Sequence, residues 1–405
     1  MTAGVSRTDV LMGLQAAKMA RSPHAFVRGA TARHYEWLAA MRAGLPEGPP
    51  VWICGDCHVG NLGPLADPQG RVDIQIRDLD QTVVGDPAHD LIRLALSLAS
   101  VARGSNLPGA VTAHMVESMV EGYQAGLSAL DGNGLPAEPP LVSTVRRRAL
   151  GRKWRHLAKE RIADARPTIP FGERFWRMPD QDKWDVGVLL DTPRVKELIL
   201  SVTRRSPEAR VELIDAAYWV KGCSSLGKLR CAALVHVSGS RKGKFSLIDI
   251  KEAVPSVAPA APGWPMPAHH GERVAAGAKA LSPNLGDRLA AGDLAGRPVI
   301  VRELLPEDLK LDIEQFTRRE AVEAARYLAS VVGRAHGRQM AGDDRAAWLR
   351  ELRTKNAPDL AAPTWLWNGV AALLVRHEEA YLDHCRRALP LDMRRDLRAS
   401  EGAKP

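Results

Sequence analysis

No apolar run in this chain approaches the roughly eighteen residues that a membrane-spanning helix needs. The amino-terminal MTAGVSRTDVLMGLQAAKMARSP lacks the apolar core and small-residue cleavage site of a secretory signal. These two absences argue against a membrane partner, and a cytoplasmic location is expected. Cysteine is scarce: five in 405 residues, an odd number that suits reduced thiols better than a disulfide framework. Beyond short Pro/Ala stretches there is no low-complexity tract, and no internal repeat, which excludes collagen-like and solenoid architectures. Aromatic residues are missing from the arginine runs. Arg146-Arg147-Arg148 and Arg152-Lys153 therefore read as a polar helix face rather than a nucleic-acid stripe.

What is present is length for two or three domains and a formal net charge of +9, which favours an anionic ligand without choosing one. Residues 8–45 read as two helices broken near Ser22-Pro23. A strand at Val51-Trp52-Ile53 and another at Val72–Ile76, after an Asp67-Pro68-Gln69-Gly70 turn, are expected to form a hairpin-like pair. From Pro87 the spacing of Leu91, Leu94, Ala95 and Leu98 predicts a helix, and helical patterns dominate to about residue 205. Strand signals follow at 216–220, 229–237 and 245–251. After them come an irregular Pro/Ala loop, a helix near 271–281, two short strands ending at 298–302, and helices from about 314. The expected fold class is α+β, divided into 1–205, 206–312 and 313–405.

The chemistry is concentrated in ICGDCHVGNLGPLADPQGRVDIQIRDLDQTVVGDPAHDL. Asp56 and Asn61 stand in a turn after a strand, and Asp78 and Asp80 end the next one. Phosphoryl transfer to a hydroxyl needs one carboxylate to orient the attacking group. It also needs an amide oxygen and further carboxylates to hold Mg²⁺ on the phosphates. Turn-forming Asp and Asn are common at strand ends; it is the complete ordered series that carries the reading. The same stretch contains Cys54-Gly55-Asp56-Cys57-His58, a C-x-x-C-H pattern compatible with haem attachment, a redox pair or part of a zinc site. That alternative leaves Asn61, Asp78 and Asp90 without a purpose.

The pattern resembles the catalytic and metal loops of aminoglycoside phosphotransferases and related kinases. By that resemblance Asp56 is the catalytic Asp, Asn61 and Asp78 are metal ligands with Asp80 a further candidate, and Asp90 braces the catalytic loop. Cys54 departs from the His usually found two residues before the catalytic Asp. Nothing before residue 51 fits the glycine-rich loop and lysine that such a fold requires. Gly222-Cys223-Ser224-Ser225-Leu226-Gly227 does, as a degenerate G-x-G-x-x-G with Ser224 at the middle glycine, and Lys251 follows on an apolar strand. Glu272 is the only glutamate inside the next helix that could pair with Lys251. Arg302-Glu303-Leu304-Leu305-Pro306 would form the strand and hinge near the adenine. His336 reads as a packed histidine or a neighbour of Asp56, and Arg28 as a cation of unknown role.

SPHAFVRGA, GD-x-H-x-x-N, SSLGKLRC, IKEA, GERV, VRELLPEDLKL and GRAHGRQM are together similar to the bacterial family catalogued as domain of unknown function 2252. The resemblance implies a two-lobed, protein-kinase-like fold, circularly permuted, with a largely helical catalytic lobe and a small antiparallel nucleotide lobe. It implies ATP and Mg²⁺ as cofactors. The acceptor would be a small-molecule or protein hydroxyl. Nucleotidyl transfer and a pseudokinase-type binding module are the alternatives.

Overall fold

The computed structural model describes residues 6–41, 45–67, 69–130, 132–151, 168–203, 205–206, 208–238, 244–304, 317–354 and 363–388. Three helices, not two, open the chain: α1 (Arg7–Met19), α2 (Pro23–Gly29) and α3 (Thr31–Ala40). Ser6 and Ser22 cap the first two by accepting from the amides of Asp9 and Ala25, and Pro23 occupies the first turn, where its missing N–H is no loss. The extra break falls at Ala30, whose φ of −107° and ψ of 35° leave the helical region.

The expected pairing of the first two predicted strands is overturned. β1 (Val51–Ile53) pairs with β4 (Val83–Gly85), while β2 (Leu62–Ala66) and β3 (Val72–Ile76) form their own antiparallel hairpin. The Asp67–Gly70 turn folds β3 back onto the strand immediately before it, with Asp67 donating to the Arg71 carbonyl and Gly70 to that of Asp67. That preceding strand contains Gly63 and Pro64, and its sequence therefore carries little strand signal.

α4 (Pro87–Gly104) follows, capped by Asp86, and is buried around nearly its whole circumference, Asp90, Arg93 and Ser97 included. After α5 (Gly109–Ser128) and α6 (Pro140–Gly151) come β5 (Phe175–Trp176), α7 (Asp180–Leu190) and α8 (Pro193–Thr203). β6 (Val211–Trp219), β7 (Arg230–Val237) and β8 (Lys244–Glu252) form a meander. Next are α9 (His270–Leu281), α10 (Pro283–Gly286), β9 (Leu289–Leu294) and β10 (Arg297–Glu303). The described residues end with α11 (Arg318–Gly337), α12 (Gly342–Thr354) and α13 (Thr364–Ala388). The six-stranded sheet runs β5-β6-β7-β8-β10-β9 and is antiparallel throughout, so the fold is α+β with 13 helices among the described residues.

Two packing features position the site. First, α5 and α11 approach closely: a Cβ at Gly122 would overlap the Arg326 carbonyl, and one at Gly333 the Tyr123 carbonyl. Second, the sheet has unlike faces. Ala233, Val235, Ile248 and Ile250 pack with Val186, Leu189, Val195 and Ile199 of α7 and α8. The other face is apolar at Trp219, Ala232, Leu234 and Leu247. At its remaining end it is charged, where Arg230 is opposite Lys251 and Asp249 opposite Arg302 in adjacent strands. Period-two alternation along β7 and β8 creates both faces from one sequence.

Candidate active site

The turn after β1 is shaped by Gly55. Its φ is +72°, and a Cβ there would strike the Gln81 carbonyl, so no other residue lets the 54–57 and 80–82 segments approach this closely. Asp56 is buried, and its Oδ1 accepts from Arg93 Nε at 2.9 Å and Nη2 at 2.8 Å. The same Nη2 donates to the Val27 carbonyl at 2.6 Å, which ties α2 to the loop. His58 Nε2 lies 3.9 Å from Asp56 Oδ2. Burial pushes the Asp56 carboxyl up against the pull of Arg93, and the net direction is upward. Asn61 Nδ2 donates to the Asp56 carbonyl at 2.9 Å, which commits the amide nitrogen and leaves Oδ1 to accept.

Asp78 and Asp80 flank one ammonium. Lys251 Nζ lies 3.1 and 3.3 Å from the two Asp78 oxygens and also contacts Asp80 Oδ2. The Asp78 side chain is 39% exposed and faces the cleft, whereas Lys251 and Asp80 are buried. Enclosure would raise both carboxyls. At Asp78 it is overridden by Lys251, with Arg230 and Arg302 behind it, which holds that group well below the usual carboxylate range. At Asp80 burial and the Asp78 charge prevail, and its affinity for a proton rises. Burial works to lower the Lys251 ammonium, but the two carboxylates move it upward. The pair thus shares one cation unequally.

The turn at 222–228 closes the cleft from the sheet side. Gly222 and Gly227 have φ of +86° and +89°, the left-handed region that favours glycine. Ser225 is buried, donates to the Lys221 carbonyl at 2.6 Å and accepts from Arg230 Nη1 at 3.2 Å, so it shapes the turn rather than facing a ligand. From the other side Lys18 Nζ donates to the Gly222 carbonyl at 3.1 Å and Gln15 Nε2 to that of Cys223 at 3.0 Å. The cleft has a volume of about 250 Å³, and Asp56, Asn61, Asp78, Asp80, Ser224 and Lys228 are among its lining residues.

Over residues 7–387 the sequence matches the family described as uncharacterized protein conserved in bacteria (DUF2252). The chain belongs to the DUF2252 family. No curated protein and no solved structure matches it.

Behind the cleft of this DUF2252 protein lies a buried relay that sequence reading assembled only in part. Asp90 accepts from the amides of Cys54 at 2.7 Å and Gly55 at 2.9 Å. His336 Nε2 is 3.2 Å from Asp90, and its Nδ1 is 2.9 Å from the Tyr123 hydroxyl, to which Trp348 Nε1 donates at 3.2 Å. One tautomer satisfies every member: indole to phenol oxygen, phenol to Nδ1, Nε2–H to carboxylate. Asp90 therefore fixes the backbone that carries Asp56, and His336 meets Asp90 rather than Asp56.

The structure brings Asp56, Asn61, Asp78, Asp80 and Lys251 together beside the Gly222–Gly227 turn. It does not bring Glu272 there. Glu272 is 49% exposed and pairs with Arg194 at 3.2 Å, because its position in the first turn of α9 faces outward. The partners of Lys251 are the two aspartates. The neighbouring Arg273 does turn inward, donating to the carbonyls of Asp80 and Val254 at 2.9 Å and to that of Thr82, and it braces the backbone of the 80–82 segment. Neither Arg273 nor Arg93 stood out in the sequence. Leu305 and Pro306 of the expected hinge, and Arg152-Lys153, lie outside the described residues. Among those described, Arg146 pairs with Glu138, and no helix is long and apolar enough to cross a membrane.

Two donor sets could be considered for a metal. Cys54, Cys57 and Asp90 place ligand atoms within 4.8 Å of one another. However, the Asp90 oxygens already accept two amides and the His336 N–H. Burial pushes the Cys54 thiol well up, and Cys57, despite its bond from Cys54, is also raised, so neither is a ready thiolate. That set does not fit zinc. Asn61, Asp78 and Asp80 offer only hard oxygens at the wall of an open cleft, the donor chemistry that suits Mg²⁺.

Proposed function

We propose that this protein is an ATP- and Mg²⁺-dependent phosphotransferase with a circularly permuted, protein-kinase-like arrangement. The sheet carrying Lys251 and the 222–228 turn would be its nucleotide lobe, and the helices around α4 its catalytic lobe. The observation that carries the reading is the convergence on one cleft of Asp56, Asn61, Asp78 and Asp80, with the buried Lys251 paired to the last two behind its wall. These residues come from segments nearly two hundred positions apart.

In this reading Asn61, Asp78 and Asp80 hold Mg²⁺, which when bound neutralises phosphate charge. Lys251, released from the carboxylates, takes the nucleotide phosphates, and the amides of the 222–228 turn approach them where glycine leaves room. Asp56 orients the acceptor hydroxyl and receives its proton. A carboxyl raised by burial is the better acceptor, while Arg93 keeps its geometry fixed. Asp90, His336 and Arg273 hold the backbone of both loops in place. Nucleotidyl transfer uses the same residues, because the site does not fix which phosphorus is attacked.

A thermal-shift titration with ATP and Mg²⁺ tests the reading. Stabilisation that requires both, and that Asp78→Ala abolishes, is the expected result. A wild-type protein indifferent to millimolar Mg·ATP would sink it.

A further inference from the structure

Beside the loop that carries Asp56 stands a group of cations and imidazoles that the phosphotransfer roles leave unused. Arg28, in the last turn of α2, lays its guanidinium over the loop: a Cβ added at Gly60 would lie 3.3 Å from its Cζ and Nε and 3.2 Å from His58 Cε1. Gly60 therefore leaves the space that the guanidinium occupies. Arg28 Nε is buried with no hydrogen-bond partner, and among the described residues no carboxylate pairs with the side chain. His24 and His58 stand near it, and burial first, then the Arg28 and Arg93 charges, push the His24 imidazole down to about 4. Each has an unpartnered buried Nδ1, and His58 is almost completely enclosed. Asp56, in the same loop, is held by Arg93, whose Nη1 is itself buried and unpartnered.

A half-buried guanidinium whose Nε finds no partner is costly, and such groups are ordinarily neutralised by a counter-anion. Gly29, the next residue, lines the cleft that holds Asp56. We propose that Arg28, with His24 and His58, binds an anionic group of the acceptor, a phosphate or a carboxylate. The acceptor hydroxyl would then lie at Asp56. The substrate class is thus an anionic small molecule bearing a hydroxyl. Its identity as acceptor rests on the phosphotransferase reading, whereas the anion site does not.

The test is calorimetric titration of the full chain at low ionic strength with inorganic phosphate and, separately, with acetate, in the absence of nucleotide and metal. Binding of at least one anion is expected. It should weaken about tenfold or more in Arg28→Gln, the loss of a charge-assisted contact, and be partly kept in Arg28→Lys. Preference for phosphate or acetate names the acceptor's anionic group. Absence of binding by the wild type, or affinity unchanged in Arg28→Gln, overturns the proposal. The Mg·ATP thermal shift of the same variants reports independently on the nucleotide site, so failure of one reading is distinguishable from failure of the other.

Discussion

Lys251→Met should convert a protein that ignores Mg²⁺ alone into one that responds to it. In the structure the ammonium sits between Asp78 and Asp80, on the oxygens assigned to the metal. Ammonium and Mg²⁺ cannot both hold them. Removing the lysine leaves two carboxylates without their cation, and breaking a buried pair costs about 3–5 kcal/mol. The low end applies here, because Asp78 is 39% exposed and screened by solvent. Mg²⁺ at a hundred times its Kd would return about 2.7 kcal/mol. For a chain of this length that is on the order of 5 °C, taking roughly 2 °C per kcal/mol. The assay is a pair of melting curves, with and without millimolar MgCl₂, for each protein and with CaCl₂ as a control. Wild type should move little and the variant by several degrees. If MgCl₂ stabilises Lys251→Met no more than wild type, Asp78 and Asp80 are not metal ligands held in reserve by the lysine, and the reasoning fails.

Further outcomes follow from the surrounding shell. Asp90→Ala strands the Cys54 and Gly55 amides and the His336 N–H, which should cost about 3 kcal/mol or more in a urea titration; a loss below about 1 kcal/mol would show that the relay does not hold the loop. Gly122→Ala should destabilise by roughly 1–3 kcal/mol, since its methyl group overlaps the Arg326 backbone and α5 and α11 must separate. Its urea midpoint falling on that of wild type would contradict the close approach of the two helices. Acid should weaken the fold through His377, which burial first, and then Arg93 and Arg33, push down to about 3. The folded ring stays neutral, whereas the unfolded one takes a proton below its ordinary value of about 6.5. The unfolded state therefore binds more protons, and stability falls as pH drops from about 6.5 towards 3. The loss is about 2 kcal/mol by pH 5. His377→Leu should flatten that part of the profile, and an unchanged slope would reject the assignment.

How much could be read from the chain depended on whether partners were local. Asp56, Asn61, Asp78 and Asp80 were legible because they fall within one short stretch between strands, and Lys251 because a glycine turn and apolar strands announce it. The meander β6–β8 and the helix α9 were visible by period alone. Arg93 was not. It lies among Leu91, Ile92 and Leu94 on a helix whose periodicity assigns a charged residue to solvent, yet its guanidinium is fully buried on Asp56, 37 residues earlier. Arg273 was hidden for a related reason: Glu272 attracted notice as the expected type of residue, while the inward position belongs to its neighbour, bonded to backbone carbonyls that leave no sequence trace. The pairing of β1 with β4 was missed because β2, with Gly63 and Pro64, does not look like a strand. His336 and Tyr123 could have been joined to Asp90 only by knowing how closely α5 and α11 pack.

The most direct test of phosphotransfer follows γ-labelled and α-labelled ATP, with Mg²⁺, into the anionic fraction of a metabolite extract. Wild-type protein should place the γ-label, and not the α-label, on an acceptor, and Asp56→Asn should abolish this while still binding Mg·ATP. Transfer of the α-label, or no transfer by a protein that binds Mg·ATP, would contradict the account.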